Sequence, residues 1–371
     1  MSLPNLFTHA RSELAQDAVL AYLLEWAAPQ HRETHPKLNA LGEALLRALF
    51  NASAHAIGGA TLAAADPLTD VKVRSQTNKI DVLVLVNQTY ALVIEDKVNA
   101  HEHSGQIARY KALLSHIPSP SGAAWAVHAV YVKTGNESPS RRPTADLCGV
   151  MMRSELLAVL DRFPSVENQI VREFCEHLHR IQADTESYRT LPPSQWSSRA
   201  VEGFYGAIAD WLIKLHSAGE LRENPWPQWS YQSNPRGGER VSCWSWTDLA
   251  LGSSQMWLQL NDAATLHLRV ANAEQGGVKP KVQPSQLNEI LQHLARAAEG
   301  EPWIGRIRVR KAGRFGGGDS AAVAELTFDA SADGWLPLDA HKLLDWPEAC
   351  RRLRLAMQFL DSLRLVEQVQ P

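Results

Sequence analysis

Two short apolar runs, Ile80–Val86 and Tyr90–Ile94, constrain this chain more than any other feature. Both are rich in β-branched residues and bounded by polar ones, which predicts buried strands, and Asn87, Gln88 and Thr89 between them predict a three-residue hairpin loop. A loop of that length pairs Val86 with Tyr90. Counting back sets Leu83 opposite Val93 and Asp81 opposite Glu95, where facing Cβ atoms stand about 4.5–5.5 Å apart. Side chains alternate across a strand, so Glu95 and Lys97 share a face while Ile94 and Asp96 take the other. Asp81, Glu95 and Lys97 therefore converge.

Two carboxylates at the end of an otherwise apolar sheet repel each other unless a cation sits between them. An oxygen-only set suits Mg²⁺, with Mn²⁺ able to substitute. Lys97 adds positive charge beside that position, able to orient a water or offset charge on an attacked phosphate. The competing reading is a surface ion pair, which contributes little.

Asp81, thirteen intervening residues and then Glu95-Asp96-Lys97 resemble the D…E-x-K signature of the PD-(D/E)XK nuclease superfamily. Ser12-Glu13-Leu14-Ala15-Gln16-Asp17-Ala18, leading into Tyr22–Trp26, resembles the first helix of one branch of that superfamily. Gln106-Ile107-Ala108-Arg109-Tyr110 is similar to its Q-x-x-x-Y helix motif, and Val130–Gly135 to its next strand and exit loop. No proline precedes Asp81; Lys79-Ile80 stands there. The resemblance covers residues 1–180. It implies an α/β, restriction-endonuclease-like core in the order α-β-β-β-α-β, with a mixed central sheet flanked by helices. It further implies that Asp81, Glu95 and the backbone carbonyl of Asp96 are metal ligands, that Lys97 is the catalytic lysine, and that Glu13 and Gln106 are auxiliary site residues. The products it implies carry a 5′-phosphate and a 3′-hydroxyl.

The helices can also be read from their residues. Leu14, Ala18, Leu20, Ala21 and Leu24 fall mostly on one stripe, and Ser12 is a suitable cap. Glu13 then lies in the first turn, either as an acid favoured by the helix dipole or as a group reaching the metal. Gln106 and Tyr110 are neighbours on one helix face, and Tyr110 is a candidate nucleic-acid contact. His101 and His103 precede that helix on an expected loop and lack the partners of a tetrahedral site.

The chain has 371 residues, 45% hydrophobic and 21% charged, with a formal charge of −3. This describes an ordinary globular protein without a global basic field, so any nucleic-acid contact must place its cations locally. Cys148, Cys175, Cys243 and Cys350 show neither metal-ribbon spacing nor a disulfide framework, as expected of reduced thiols. With no leader-like or membrane-spanning run in view, the expected location is the cytoplasm.

Thr190-Leu-Pro-Pro-Ser-Gln-Trp marks a join between a domain at 1–185 and an α+β domain at 190–371. Only Trp26 and Trp125 of the twelve tryptophans precede it. The second half predicts helices at Ala200–His216, Pro284–Ala298 and Trp346–Leu365. Its strands are expected at Gln228–Tyr231, Arg240–Trp246, Gln255–Leu260 and Thr265–Val270, with two more after residue 298. Trp244 and Trp246 share a strand face, as core or as a base-stacking pair. Arg306, Arg308 and Arg310 alternate with apolar residues and present either a stripe able to follow a phosphate backbone or a solvated sheet face with gatekeeping charge. Gly313–Gly318 reads as a hairpin turn.

The expectation is thus a metal-dependent nuclease acting on DNA, in bacterial genome defence or repair, without a membrane partner. Double-strand cleavage by one site per chain favours a homodimer, and the C-terminal half offers a place for an activating protein or ligand. The alternative is a catalytically silent nucleic-acid-binding or scaffold protein.

Overall fold

The computed structural model describes residues 5–367 except 10–12, 60, 99–104, 121, 138–141, 145, 221–248, 252–253, 262–264, 273–279, 314–318 and 329–341. Its contacts divide the chain into two compact units, 1–137 with 141–183, and 138–140 with 184–371. Each has its own sheet.

The first unit begins with α1 (Glu13–Glu25) and α2 (Pro36–Ile57). Strands β1 (Val71–Thr77), β2 (Ile80–Val86) and β3 (Tyr90–Lys97) follow, then α3 (Gln106–Ser115), β4 (Ala126–Lys133), β5 (Gly149–Met152), α4 (Arg153–Leu160) and α5 (Gln169–Glu186). The five strands lie in chain order, with β1, β2 and β3 antiparallel and β3, β4 and β5 parallel. The fold is α/β with a mixed sheet, and α3 makes the crossover that a parallel pair requires.

The β2–β3 register follows the loop. Val86 pairs with Tyr90, Leu83 with Val93 and Val82 with Ile94. Asn87 and Gln88 have φ of 52° and 56°, and Thr89 N–H donates to the Val86 carbonyl at 3.1 Å. Asparagine tolerates this left-handed conformation well. Its side-chain oxygen also accepts from Thr69 N at 2.8 Å, tying the turn to the chain entering β1.

Helices cover both sheet faces, which is why β3 reads as a continuous apolar run rather than an alternation. Val82, Val84, Leu92, Ile94, Val130 and Val132 pack with α1, α2, α4 and α5. Leu83, Ala91, Val93, Ala129 and Tyr131 pack with α3. α2 lies so close to β5 that a Cβ on Gly149 would come within 2.4 Å of the Ala52 backbone.

The second unit contains α6 (Ser198–Ser217), β6 (Leu249–Leu251), β7 (Ser254–Asn261), β8 (Thr265–Asn272), α7 (Pro284–Ala298), β9 (Ile307–Lys311), β10 (Ala321–Phe328) and α8 (Trp346–Glu367). Its antiparallel sheet runs β6-β7-β8-β10-β9 and shares one core with the three helices. The strands expected at Gln228–Tyr231 and Arg240–Trp246, with Trp244 and Trp246, lie outside the described residues, as does most of Gly313–Gly318. No helix among the described residues is long and apolar enough to cross a membrane.

One core group makes stability depend on pH. His128 of β4 is buried, its ring stacked on Phe50 with centroids 4.0 Å apart, and burial, aided by the charge of Lys111, lowers its pKa. Unfolding restores the ordinary histidine value of about 6.5, so the unfolded chain binds the extra proton first. The contribution is complete above that pH and is lost as pH falls through it. In urea denaturation, wild type is expected to lose stability relative to His128→Phe between pH 7.5 and pH 5.

Candidate functional site

The site forms at the C-terminal ends of β3 and β4, where the sheet changes from antiparallel to parallel pairing. Asp81 of β2 approaches it from the antiparallel side. Its Oδ2 accepts from Asp96 N at 3.0 Å and lies 3.3 Å from Lys97 Nζ. Lys97 Nζ also lies 2.5 Å from Glu95 Oε1 and donates to the Asp96 carbonyl at 2.9 Å. One ammonium thus touches the three oxygens that the sequence nominates as metal ligands.

Glu95 and Lys97 are both buried, so this cluster is not a surface pair. Burial by itself lowers the pKa of the Lys97 ammonium, but the Glu95 hydrogen bond and the charges of Glu95, Asp81 and Glu13 outweigh it and raise the pKa well above the ordinary lysine value. Glu13, in the first turn of α1, reaches the same strand end, where its Oε1 accepts from Val98 N at 3.3 Å.

Asp96 points to the opposite face, as strand alternation requires, and is fully buried against α1. Gln16 Nε2 donates to its Oδ1 at 2.5 Å, and Gln16 Oε1 accepts from Thr134 Oγ1 at 2.6 Å. Asp17 lies beside it and accepts from Gln76 of β1 at 2.8 Å. The remaining oxygens, Asp17 Oδ1 and Asp96 Oδ2, are buried. The two carboxyls are close enough for each to feel the other's charge. Burial and mutual repulsion push the Asp96 pKa well above the carboxylate range. Burial and the charge of Asp81 bring Asp17 to about 6.

Lys133 stands opposite Lys97 in the parallel register, and Tyr131 opposite Glu95. Lys133 is fully buried and lies 3.4 Å from Glu137 Oε2, which also accepts from Tyr131 Oη at 3.0 Å. Burial lowers the Lys133 pKa against the opposing pull of Glu137.

Other nominated residues are placed differently. Gln106 Nε2 donates to Tyr110 Oη at 3.3 Å, and Tyr110 in turn donates to the Lys79 carbonyl. The Tyr110 ring is 1% exposed in the α3 core. It fixes α3 to the start of β2 and is not a surface on which a base can stack. Arg308 and Arg310 lie on edge strand β9, and Arg306 immediately precedes it; all three are exposed. His101 and His103 lie outside the described residues.

The sequence reading also misplaced one face of α1. Leu14 is 63% exposed, whereas Gln16 and Asp17 are buried with Leu20, Leu23 and Leu24. Ser12, the expected cap, lies outside the described residues. The signal for this buried polar face was the adjacent Gln16-Asp17 pair, which counts against burial in any hydrophobic pattern.

Among the described residues, no group of three or more His, Cys, Asp or Glu side chains is disposed to hold a metal ion. The oxygen set consists of two carboxylates and one carbonyl. The chemistry of that set suits a small hard cation, because all three donors are oxygens and Mg²⁺ is commonly bound through only one or two protein carboxylates. Comparison with family models, with curated proteins and with solved structures finds no match to this chain.

Replacing Lys97 leaves Glu95 buried beside Asp81 without its cation. Breaking a buried pair in this way costs about 3–5 kcal/mol. Lys97→Met is therefore expected to lose stability of that order in urea denaturation with EDTA present.

Proposed function

We propose that the N-terminal unit is a metal-dependent nuclease of the PD-(D/E)XK type, with a restriction-endonuclease-like core and DNA as its substrate. The observation that carries this reading is the convergence of Asp81 Oδ2, Glu95 Oε1 and the Asp96 carbonyl on one cation position that includes Lys97. The order of elements from α1 through β1, β2, β3, α3 and β4 supports it, with α2 inserted and β5 appended.

In this reading Asp81, Glu95 and the Asp96 carbonyl would hold Mg²⁺, which would supply Lewis acidity toward a phosphate diester. Lys97, whose ammonium occupies that position in this structure, would swing beside the metal, and there offset charge developing on the phosphate and orient the attacking water. Glu13 holds the backbone immediately beyond Lys97 through Val98. Arg306, Arg308 and Arg310 supply local cations that the chain's overall charge lacks, and are assigned to backbone phosphates. A homodimer would bring together the two sites needed for double-strand cleavage.

A second reading is favoured by the ion cluster itself. Lys97 already balances the carboxylates, so the same residues suit a nucleic-acid-binding scaffold without turnover.

Incubation of linear, circular and single-stranded DNA and of RNA with Mg²⁺, Mn²⁺ or EDTA separates the two. The nuclease reading expects metal-dependent cleavage of DNA. Lys97→Ala is expected to lower it by about 10²–10³-fold, the scale for losing one electrostatic stabiliser of a transition state. Equal inertness of both proteins, with DNA binding that is indifferent to EDTA, would support the scaffold instead.

A further inference from the structure

The site's most demanding groups are the backbone N–H and carbonyl of one residue rather than a side chain. The Asp96 peptide nitrogen donates to Asp81 Oδ2 at 3.0 Å, and the carbonyl of the same residue accepts from Lys97 Nζ at 2.9 Å. Both groups turn with the backbone at Asp96, and the direction of its Cα–Cβ bond reports that orientation. Whatever anchors the Asp96 side chain therefore fixes the direction in which its N–H and carbonyl point.

We propose that Gln16 is the positioning residue of this site, aligning the Asp96 backbone through its side chain. The inference rests on the nuclease reading and deepens it. Gln16 is suited to the task because both ends of its amide are committed, Nε2 to Asp96 Oδ1 and Oε1 to Thr134 Oγ1, at 2.5 and 2.6 Å. Thr134 is fixed in turn. Its N–H donates to the Lys97 carbonyl at 3.2 Å, and its own carbonyl accepts from Arg153 Nη1. The buried Arg153 also donates to Asn136 Oδ1 at 3.0 Å and to Gln182 Oε1 at 2.9 Å. A hydrogen-bonded chain thus runs from α5 through Arg153, Thr134 and Gln16 to the Asp96 carboxyl.

This arrangement is more than the core needs. The neighbours of Asp96 on that sheet face are Ile94, Val130 and Val132, and an apolar side chain at position 96 would pack there without desolvating a carboxyl. A buried acid held by a buried amide, directly behind the carbonyl of the cation cluster, is explained by the alignment it gives that carbonyl.

The test compares wild type, Gln16→Met, Thr134→Val and Thr134→Ser. Mn²⁺ affinity is measured by calorimetry without nucleic acid, alongside kcat and KM on DNA and thermal melting. Gln16→Met is expected to weaken Mn²⁺ binding and lower kcat by about 10–100-fold, the range for groups that orient metal ligands, with KM for DNA nearly constant. Thr134→Val, a milder change that keeps its shape, is expected to move both in the same direction by less. Thr134→Ser, which retains the hydroxyl, is expected to recover most of the loss. A folded Gln16→Met that binds Mn²⁺ and turns over like wild type overturns the positioning role and leaves the nuclease reading standing. If Gln16→Met does not fold, equal Mn²⁺ affinity and kcat in Thr134→Val and wild type overturn it. A wild type that neither binds Mn²⁺ nor cleaves removes the nuclease reading, and this inference with it.

Discussion

The ammonium of Lys97 is what permits Asp81, Glu95 and the Asp96 carbonyl to stand within reach of one another in a buried strand end. Three oxygens with at least one full negative charge among them cannot be desolvated together unless a cation compensates them. Lys97 does so from within the same strand, two residues after Glu95, because a two-residue step returns a side chain to the same face. The strand thus carries its own counter-ion, and the hairpin brings Asp81 to it.

The same charge economy extends sideways. Lys133 pairs with Glu137 one strand away, and Tyr131 bonds to that carboxylate. The α3 face of the sheet consequently holds alternating buried charges along the ends of β2, β3 and β4. On the other face the two acids Asp17 and Asp96 form hydrogen bonds with Gln76 and Gln16. This end of the sheet therefore separates an ionic layer from a hydrogen-bonded one. The peptide of Asp96 is the thinnest point between them.

How much of this was readable from the residues depended on the kind of signal each element carried. The register of the β2–β3 hairpin was legible, because a three-residue loop admits one pairing, although β3 runs three residues past the apolar stretch, to Lys97. Pro284–Ala298 was legible as a helix, since Pro284 begins it and Leu287, Ile290 and Leu294 repeat along its buried face. The orientation of α1 was not. Hydrophobic periodicity placed Leu14 inward, whereas partners distant in sequence, Asp96 and Gln76, turned Gln16 and Asp17 inward instead. Tyr110 was identifiable as a neighbour of Gln106, but its hydroxyl's partner is the carbonyl of Lys79, and nothing local announces such a contact. Lys133 gave no indication of its burial, because an isolated lysine at a strand end is ordinarily exposed.

The turn at Asn87–Thr89 lies at the far end of β3 from Glu95. The five residue steps from Tyr90 to Glu95 span about 17 Å at the usual rise of a strand. The turn touches none of the charged groups, yet its length decides which carboxylate meets which. It works as the zero mark of a ruler read at the other end, where an error of one division would turn Glu95 and Lys97 away from Asp81. Chemistry at the strand ends is in this sense addressed by counting, and the unit of the count is a single peptide.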